Sequence, residues 1–388
     1  MSQPKKIVLV GGGSGGHLTP LVAVASAIKE NDTNIVTCHI GQRGEDLQEV
    51  TKNSAIDESF AIHAGKFRRY HGESTLKRLL DVKTLFLNCR DVTRFVRGTF
   101  ESYFLLRKMQ PSSIFLKGGF VSVPVGYAAR VLKIPYVTHD SDAIPGLANR
   151  MTASHATFNL TALPVSGYPY DKNKAIQVGI PLQKGFSRVS IDDKNKAKQL
   201  LDIPLDAPVL FVVGGGLGAQ VINDAIIASS SELLTQFPEL IIIHLSGKSL
   251  YKKTVSGYEA ALLKEQIDRI RIIDFSTTLS TLSASADVVV TRAGATNIAE
   301  FALQAKPSIV IPAPHLTGGQ QLHNAAILAK SQAAIVLHEN NLKMLGATII
   351  DLLNDTQKQT RLSDSFYKLA VANADKEIAS MLIDLKSR

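Results

Sequence analysis

The chain opens with a short apolar run, Ile7-Val8-Leu9-Val10, and then alternates such runs with longer stretches whose apolar residues recur at helical spacing. Runs rich in β-branched residues predict strands at 6–10, 35–40, 113–117, 135–139, 156–160 and 175–178 in the first half. The second half repeats the pattern at 208–213, 240–246, 270–275, 287–291, 307–311 and 333–337. Strands that alternate with helices form parallel sheets covered by helices on both faces, so the expected class is α/β. A glycine-rich turn closes the first strand of each half, LVGGGSGGH at 9–17 and VVGGGLGAQ at 212–220. This echo predicts two Rossmann-like domains in tandem. A proline and two glycines interrupt the pattern in VGIPLQKG, 178–185. The first domain is therefore expected over 1–180 and the second over 181–356, with a polar helical tail, 357–388, packing back on the first.

The chain's 388 residues suit two domains. No apolar run reaches the ~18 residues of a membrane span. The start, MSQPKKIVLV, is too short for a signal peptide and reads as a first strand, so the chain is expected to stay in the cytoplasm. Cys38 and Cys89 form no metal-binding spacing. The formal charge is +9, and between Lys66 and Lys108 eleven Lys and Arg face only four acidic residues. Leucines interleave with these cations, a pattern that fits an anionic membrane surface and equally a solvated helix with an ordinary buried stripe. No nucleic-acid partner is expected.

Gly11-x-Gly13-x-x-Gly16 fits the dinucleotide fingerprint, which also requires an acid at the end of the second strand to bind ribose. Gly41-Gln42 stand there in the first half, and the strand ending His244-Leu245-Ser246-Gly247-Lys248 lacks an acid in the second. A nicotinamide enzyme is thereby demoted. Neither loop continues as Gly-Lys-Ser/Thr, which excludes a P-loop. The glycines still allow close backbone approach to an anion at a helix N-terminus, so two such loops suggest a phosphate held on each side of a cleft.

Several segments together resemble the MurG family of glycosyltransferases. They are GGGSGGHLTP (11–20), LKGGFVSVP (116–124), HDSDAIPGLANR (139–150), VGIP (178–181), VVGGGLGAQVIN (212–223), SGK (246–248), ADVVVTRAGATNIAE (286–300) and PAPHLTGGQQLHNA (312–325). The resemblance covers nearly the whole chain. It implies a GT-B fold, with UDP-N-acetylglucosamine on the second domain and an anionic polyprenyl-pyrophosphate lipid acceptor on the first. It also implies a peripheral place at the cytoplasmic face of the membrane, with segment 66–108 as the contact, and lipid II as the product. No cofactor is expected. The rivals are a related lipid glycosyltransferase with another sugar or acceptor, and a non-catalytic nucleotide-sugar-binding protein.

Individual residues follow from their chemistry and the matching motifs. His17 titrates near neutrality and suits a general base on an acceptor hydroxyl, or else a cap on the following helix. Gly13, Ser14, Gly15, Gly16 and Thr19, with Gly118 and Gly119, are the expected acceptor-binding residues; Lys117 adds charge there or is simply solvated. Gly214, Gly215, Gly216 and Gly218 are expected to hold the UDP diphosphate. Glu300 matches the family's ribose ligand, and Arg292 and Gly294 line the same pocket. Phe275 and Ser276 match the strand end that reads uracil, and Gln320 and Gln321 the pair that holds sugar hydroxyls.

The chain departs from the family pattern in places. His139-Asp140-Ser141-Asp142 stands where the family has His-Glu-Gln-Asn. The resemblance implies that Asp142 replaces an amide that contacts the donor sugar; an acid accepts but cannot donate as an amide does, and it gives the cleft a second candidate catalytic base beside His17. Asp140-x-Asp142 also has the spacing of a site for Mg²⁺ or Mn²⁺. Gln183 stands in place of an arginine, and Gly216-Leu217 in place of Ser-Gln.

Overall fold

The computed structural model describes residues 4–12, 15–44, 52, 54–65, 82–315 and 317–385. Gly13, Ser14, the side chain of His17 and basic segment 66–81 lie outside these. Two compact units divide the chain, one of residues 1–183 with 373–388 and one of 184–372.

Unit 1 is built on strands β1 (Lys6–Val10), β2 (Val36–Gln42), β3 (Glu58–Ile62), β4 (Ser113–Leu116), β5 (Tyr136–Asp140), β6 (Phe158–Thr161) and β7 (Ala175–Gln177). Its helices include α1 (Gly15–Asn31), α2 (Val82–Met109), α3 (Ser122–Val131) and α4 (Leu147–Thr152). All strand pairs are parallel, in the order β3-β2-β1-β4-β5-β6-β7. The two-residue period of β1 explains why it is apolar throughout. Ile7 and Leu9 face a core with Leu21, Val24 and Ile28 of α1, while Val8 and Val10 face Leu106 of α2 and Val125 of α3. Strand β3 was not among the predicted elements. It is an edge strand in which only Ile62 is buried, so it lacks the continuous apolar run of its neighbours.

Unit 2 repeats the plan with β8 (Val209–Val213), β9 (Ile241–Leu245), β10 (Ile270–Ile273), β11 (Val288–Arg292), β12 (Ser308–Ile311) and β13 (Ile335–Val336). The order is β10-β9-β8-β11-β12-β13, again parallel. The helices that matter below are α5 (Gln220–Gln236), α6 (Tyr251–Ala261), α7 (Ala295–Leu303), α8 (Gln320–Lys330) and α9 (Thr356–Tyr367). Leu210 and Val212 pack on Ile222 and Ile226 of α5, and Val209, Phe211 and Val213 pack with Phe301 of α7.

The return to unit 1 starts later than the expected tail at 357. Helix α9 is polar, but its fully buried Phe366 joins the unit 2 core beside Phe211 and Phe301. The chain crosses back at Asn373, and α10 (Ala374–Asp384) buries Ile378 and Leu382 against α1 and β1. Ser113 Oγ fastens it by donating to the Leu382 carbonyl at 2.7 Å.

Candidate active site

In an open parallel sheet, ligands bind beyond the carboxyl ends of the strands where the strand order reverses. The order reverses between β1 and β4 in unit 1 and between β8 and β11 in unit 2. The described residues singled out from sequence follow these two strand pairs or lie beside them.

In unit 2, the glycines after β8 divide by what surrounds them. A Cβ on Gly214 would lie 2.3 Å from the Ala219 nitrogen, and one on Gly218, at φ +77°, 2.1 Å from the Ser246 carbonyl oxygen. These two glycines serve the turn itself. Gly215 and Gly216 have nothing within 4 Å of a Cβ, so their faces are open to a ligand. Helix α5 starts directly behind them with no side-chain cap, leaving amide N–H groups and the positive end of the helix dipole available to an anion. Helix α7 repeats the arrangement: Gly294 is its uncapped first flank, and its Cβ position is open as well.

The loop rests on a buried polar network that the sequence reading did not single out. His244 Nε2 lies 3.1 Å from Asn223 Oδ1 and its Nδ1 2.8 Å from the Tyr258 hydroxyl of α6; the Asn223 amide donates to the Ser246 carbonyl at 3.1 Å. Burial pulls the His244 imidazole down to about 4, so it is neutral and joins Asn223 in fixing the carbonyl that Gly218 packs against.

Glu300 lies on α7 and is 5% exposed. Its Oε2 has no hydrogen-bond partner, and burial raises the carboxyl from 4.5 to about 8. A buried carboxyl oxygen without a partner can accept from the hydroxyl of a ligand. Phe275 is half exposed and carries the Lys248 ammonium 4.7 Å from its ring centre, so ends of β9 and β10 meet there. Ser276 Oγ is taken up within its own turn, accepting from the Thr278 amide at 3.0 Å.

Arg292 ends β11. Its guanidinium pairs with Glu339 at 2.6 Å and donates to the Ile311 carbonyl, which makes it a brace for the β11 and β12 ends. Gln321 Oε1 accepts from the Ala313 amide at 2.9 Å, leaving its NH2 as the available group, and Gln320 begins α8 beside it. Asn324 ties α8 to the turn before Gly294 by donating to the Ala293 carbonyl at 3.1 Å.

In unit 1, Gly118 and Gly119 adopt φ of +107° and +81°, and a Cβ on Gly119 would come within 3.3 Å of the Gly12 carbonyl. The turns after β1 and β4 therefore touch. Helix α1 begins at Gly15, so Thr19 lies in its second turn. Lys117 is not solvated: it is 4% exposed, and its ammonium donates to Ser141 Oγ at 2.7 Å. Burial draws it down to about 8 against the opposing pull of the Asp142 and Asp140 carboxylates.

Asp140 ends β5, with Oδ1 accepting from the Gly146 amide at 2.9 Å and Oδ2 from the Tyr170 hydroxyl at 2.5 Å. Burial raises its carboxyl. Tyr168 stacks on Tyr170 at 6.0 Å and donates to the Asp142 carbonyl at 2.9 Å. This clamp, and Asn149, whose amide donates to the His139 carbonyl at 2.7 Å, escaped the sequence reading; the signal was the pair of tyrosines in GYPY at 167–170. His139 is buried, with Nε2 on the Gly179 carbonyl at 2.8 Å and Nδ1 unpartnered. Burial and the Lys117 charge push it down to about 3, so it is neutral. The donor set is poor for a divalent ion: both Asp140 oxygens already accept hydrogen bonds, and an ammonium sits beside them.

Two Rossmann-like units, each with a glycine turn at its switch point, are the architecture of the GT-B class. Residues 7–160 match the glycosyltransferase family 28 N-terminal domain and residues 209–378 its C-terminal domain. The chain belongs to this family of transferases. Its relatives include the UDP-N-acetylglucosamine--N-acetylmuramyl-(pentapeptide) pyrophosphoryl-undecaprenol N-acetylglucosamine transferases of Natranaerobius thermophilus, 30% identical with 98% of this chain and 100% of that protein covered, and of Clostridium kluyveri, 32% identical with 97% and 99% covered. Among solved structures, Acinetobacter baumannii MurG has a TM-score of 0.73 at 21% identity, covering 98% of this chain and 99% of that one. A Staphylococcus aureus MnaA–UDP structure has the same general fold, with a TM-score of 0.63 at 11% identity, 96% of this chain and 94% of that one.

Proposed function

We propose that this chain transfers N-acetylglucosamine from UDP-N-acetylglucosamine to undecaprenyl-pyrophosphoryl-N-acetylmuramyl-pentapeptide, with inversion, at a membrane surface. Kinship with full-length transferases of that name supports the reading. The observation in this chain that carries it is the unpartnered Glu300 oxygen on the helix that Gly294 opens, with open faces at Gly294 and, after the neighbouring strand β8, at Gly215 and Gly216. The diphosphate lies on those amides and on the N-terminus of α5, and the ribose diol donates to Glu300. Uracil meets the strand end at Phe275 and Ser276, and Gln320 and Gln321 hold sugar hydroxyls. The acceptor pyrophosphate is held by the turns at 13–16 and 118–119.

His17 takes the proton from the acceptor hydroxyl as its oxygen bonds to the anomeric carbon and the bond to UDP breaks. One displacement inverts that carbon. The dipole of α5 and the turn amides stabilise the charge developing on the departing UDP, so the step needs no resident metal. His17→Ala should lower turnover ~10²–10⁴-fold, the usual worth of a general base, while UDP affinity stays unchanged. Transfer from a panel of UDP-sugars to a short-chain acceptor, followed by product chromatography, checks both the base and the donor. Wild-type turnover in the variant would remove His17 from the mechanism.

The lipid acceptor calls for a membrane-facing surface, and α2 offers one. Val92, Val96, Phe100 and Phe104 recur every fourth residue and are all exposed, Phe100 at 63% and Phe104 at 64%. Arg97 borders the stripe, paired with Glu101 at 3.1 Å. The other side of the helix is anchored, with Leu106 in the core. Among the described residues no helix is long and apolar enough to cross a membrane, so this stripe acts by lying on the surface. Each buried phenylalanine contributes about 1.5–3 kcal/mol, so Phe100→Asp/Phe104→Asp should cut the fraction sedimenting with anionic vesicles at least tenfold with an unchanged melting temperature. Equal sedimentation would rule the stripe out.

A further inference from the structure

The hydrogen bonds beneath the glycine turn of unit 2 can run in only one direction. His244, Asn223, Ser246, Thr254 and Tyr258 are all buried, so their polar groups depend on one another for partners. Thr254 Oγ1 donates to the Leu250 carbonyl at 3.0 Å, so toward Asn223 it can only accept. The Asn223 amide gives one N–H to Thr254 Oγ1 and the other to the Ser246 carbonyl, each at 3.1 Å. Asn223 Oδ1 therefore meets His244 Nε2 as an acceptor, and that nitrogen carries the imidazole proton. The other nitrogen, Nδ1, accepts from the Tyr258 hydroxyl, whose proton burial secures by raising the phenol. The neutral ring is thus held as its Nε2–H tautomer.

This chain of bonds ends on the turn itself. A Cβ on Gly218 would lie 2.1 Å from the Ser246 carbonyl oxygen, and one on Gly247, at φ +90°, 2.6 Å from the Leu217 carbonyl oxygen. The turns after β8 and β9 therefore interlock with no room for a methyl. Gly218 also closes its own turn by donating to the Gly215 carbonyl at 2.9 Å. Asn223 is the fourth residue of α5, so one side chain ties the helix start to both turns.

We infer that His244 is a positioning residue for the nucleotide sugar: it orients Asn223, Asn223 anchors the Ser246 carbonyl to α5, and the interlocked turn keeps the Gly215 and Gly216 amides aimed at the diphosphate. His244 itself touches no ligand. Without its Nε2–H, Asn223 Oδ1 is left buried and unpaired, a cost that turning the amide away from Ser246 relieves. The inference rests on the reading of this turn as the diphosphate site.

The test sets UDP affinity, by titration calorimetry, against melting temperature in variants of the full chain. His244→Leu should weaken UDP about tenfold, the effect of losing about one hydrogen bond to a charged ligand. His244→Gln keeps a side-chain N–H for Asn223 and should bind UDP within about threefold of the wild type. Leu234→Ala, in the core at the far end of α5, should lower the melting temperature at least as much as His244→Leu and leave UDP affinity unchanged. NMR of isotope-labelled histidine in the wild type gives a second measurement should His244→Leu fail to fold. The His244 signals, identified by their absence in His244→Gln, should show a protonated Nε2 and a bare Nδ1. Wild-type UDP affinity in His244→Leu, no recovery in His244→Gln, an equal loss in Leu234→Ala, or a proton on Nδ1 would overturn the positioning role. A wild type that does not bind UDP at all would instead sink the nucleotide reading on which that role rests.

Discussion

Alanine at position 216 should cost the enzyme most of its affinity for UDP and leave the fold as stable as before. A Cβ at Gly216 meets no protein atom within 4 Å, and the residue does not need a positive φ. The added methyl therefore projects only into the space assigned to the diphosphate, between ligand and amide. Hydrogen bonds to a charged group contribute about 1.5–3 kcal/mol each, so displacing the diphosphate from one amide should weaken UDP about 10–100-fold by titration calorimetry. Gly218→Ala should do the reverse. At φ +77° and with its Cβ 2.1 Å from the Ser246 carbonyl, it should lower the melting temperature by several degrees before any ligand is added. Gly216→Ala with wild-type UDP affinity would mean that the diphosphate lies elsewhere.

The two glycines show where sequence reasoning stops. GGGLG announces a tight turn and an anion site together, but nothing in the string says which glycine serves which purpose. That division depends on Ser246, brought beside the turn by the pairing of β8 with β9. Strand ends were legible where a buried parallel strand is a continuous apolar run closed by a glycine or a charge, as at Gly11, Lys117, Gly214 and Asp274. The partners of those residues were not legible. Arg292 meets Glu339 and Lys117 meets Ser141 through strand order and loop packing, which leave no local pattern. Edge strand β3 escaped because only Ile62 of its five residues is buried. Helix α9 was expected as part of the tail, but its place in unit 2 depends on Leu362 and Phe366, two buried residues in a mostly polar helix.

Glu300→Gln should abolish a proton release that accompanies UDP binding and lower UDP affinity about 10–100-fold. Burial raises the Glu300 carboxyl from 4.5 to about 8, so without ligand most of it is protonated at pH 7. The ribose diol supplies two donors, and the ionised form accepts both, so binding draws the equilibrium toward the carboxylate and expels up to one proton. Calorimetry of UDP binding at pH 7 in buffers of different ionisation enthalpy measures that proton directly. In the wild type, affinity should rise with pH up to about 8 and then level off; in the glutamine variant this dependence should vanish. Stability has the opposite sign. With a folded-state value above the unfolded one, the group's contribution is complete below about 4.5 and is lost as pH rises through about 8. Converted at 1.36 kcal/mol per unit, the loss is about 4–6 kcal/mol. Glu300→Gln should therefore be the more stable protein at pH 9 and the weaker nucleotide binder at pH 7 and above, the two converging at acid pH where the wild-type carboxyl is protonated too. Wild-type UDP affinity in the variant, or binding at pH 7 without proton release, would show that the unpartnered oxygen of Glu300 is not where the ribose sits.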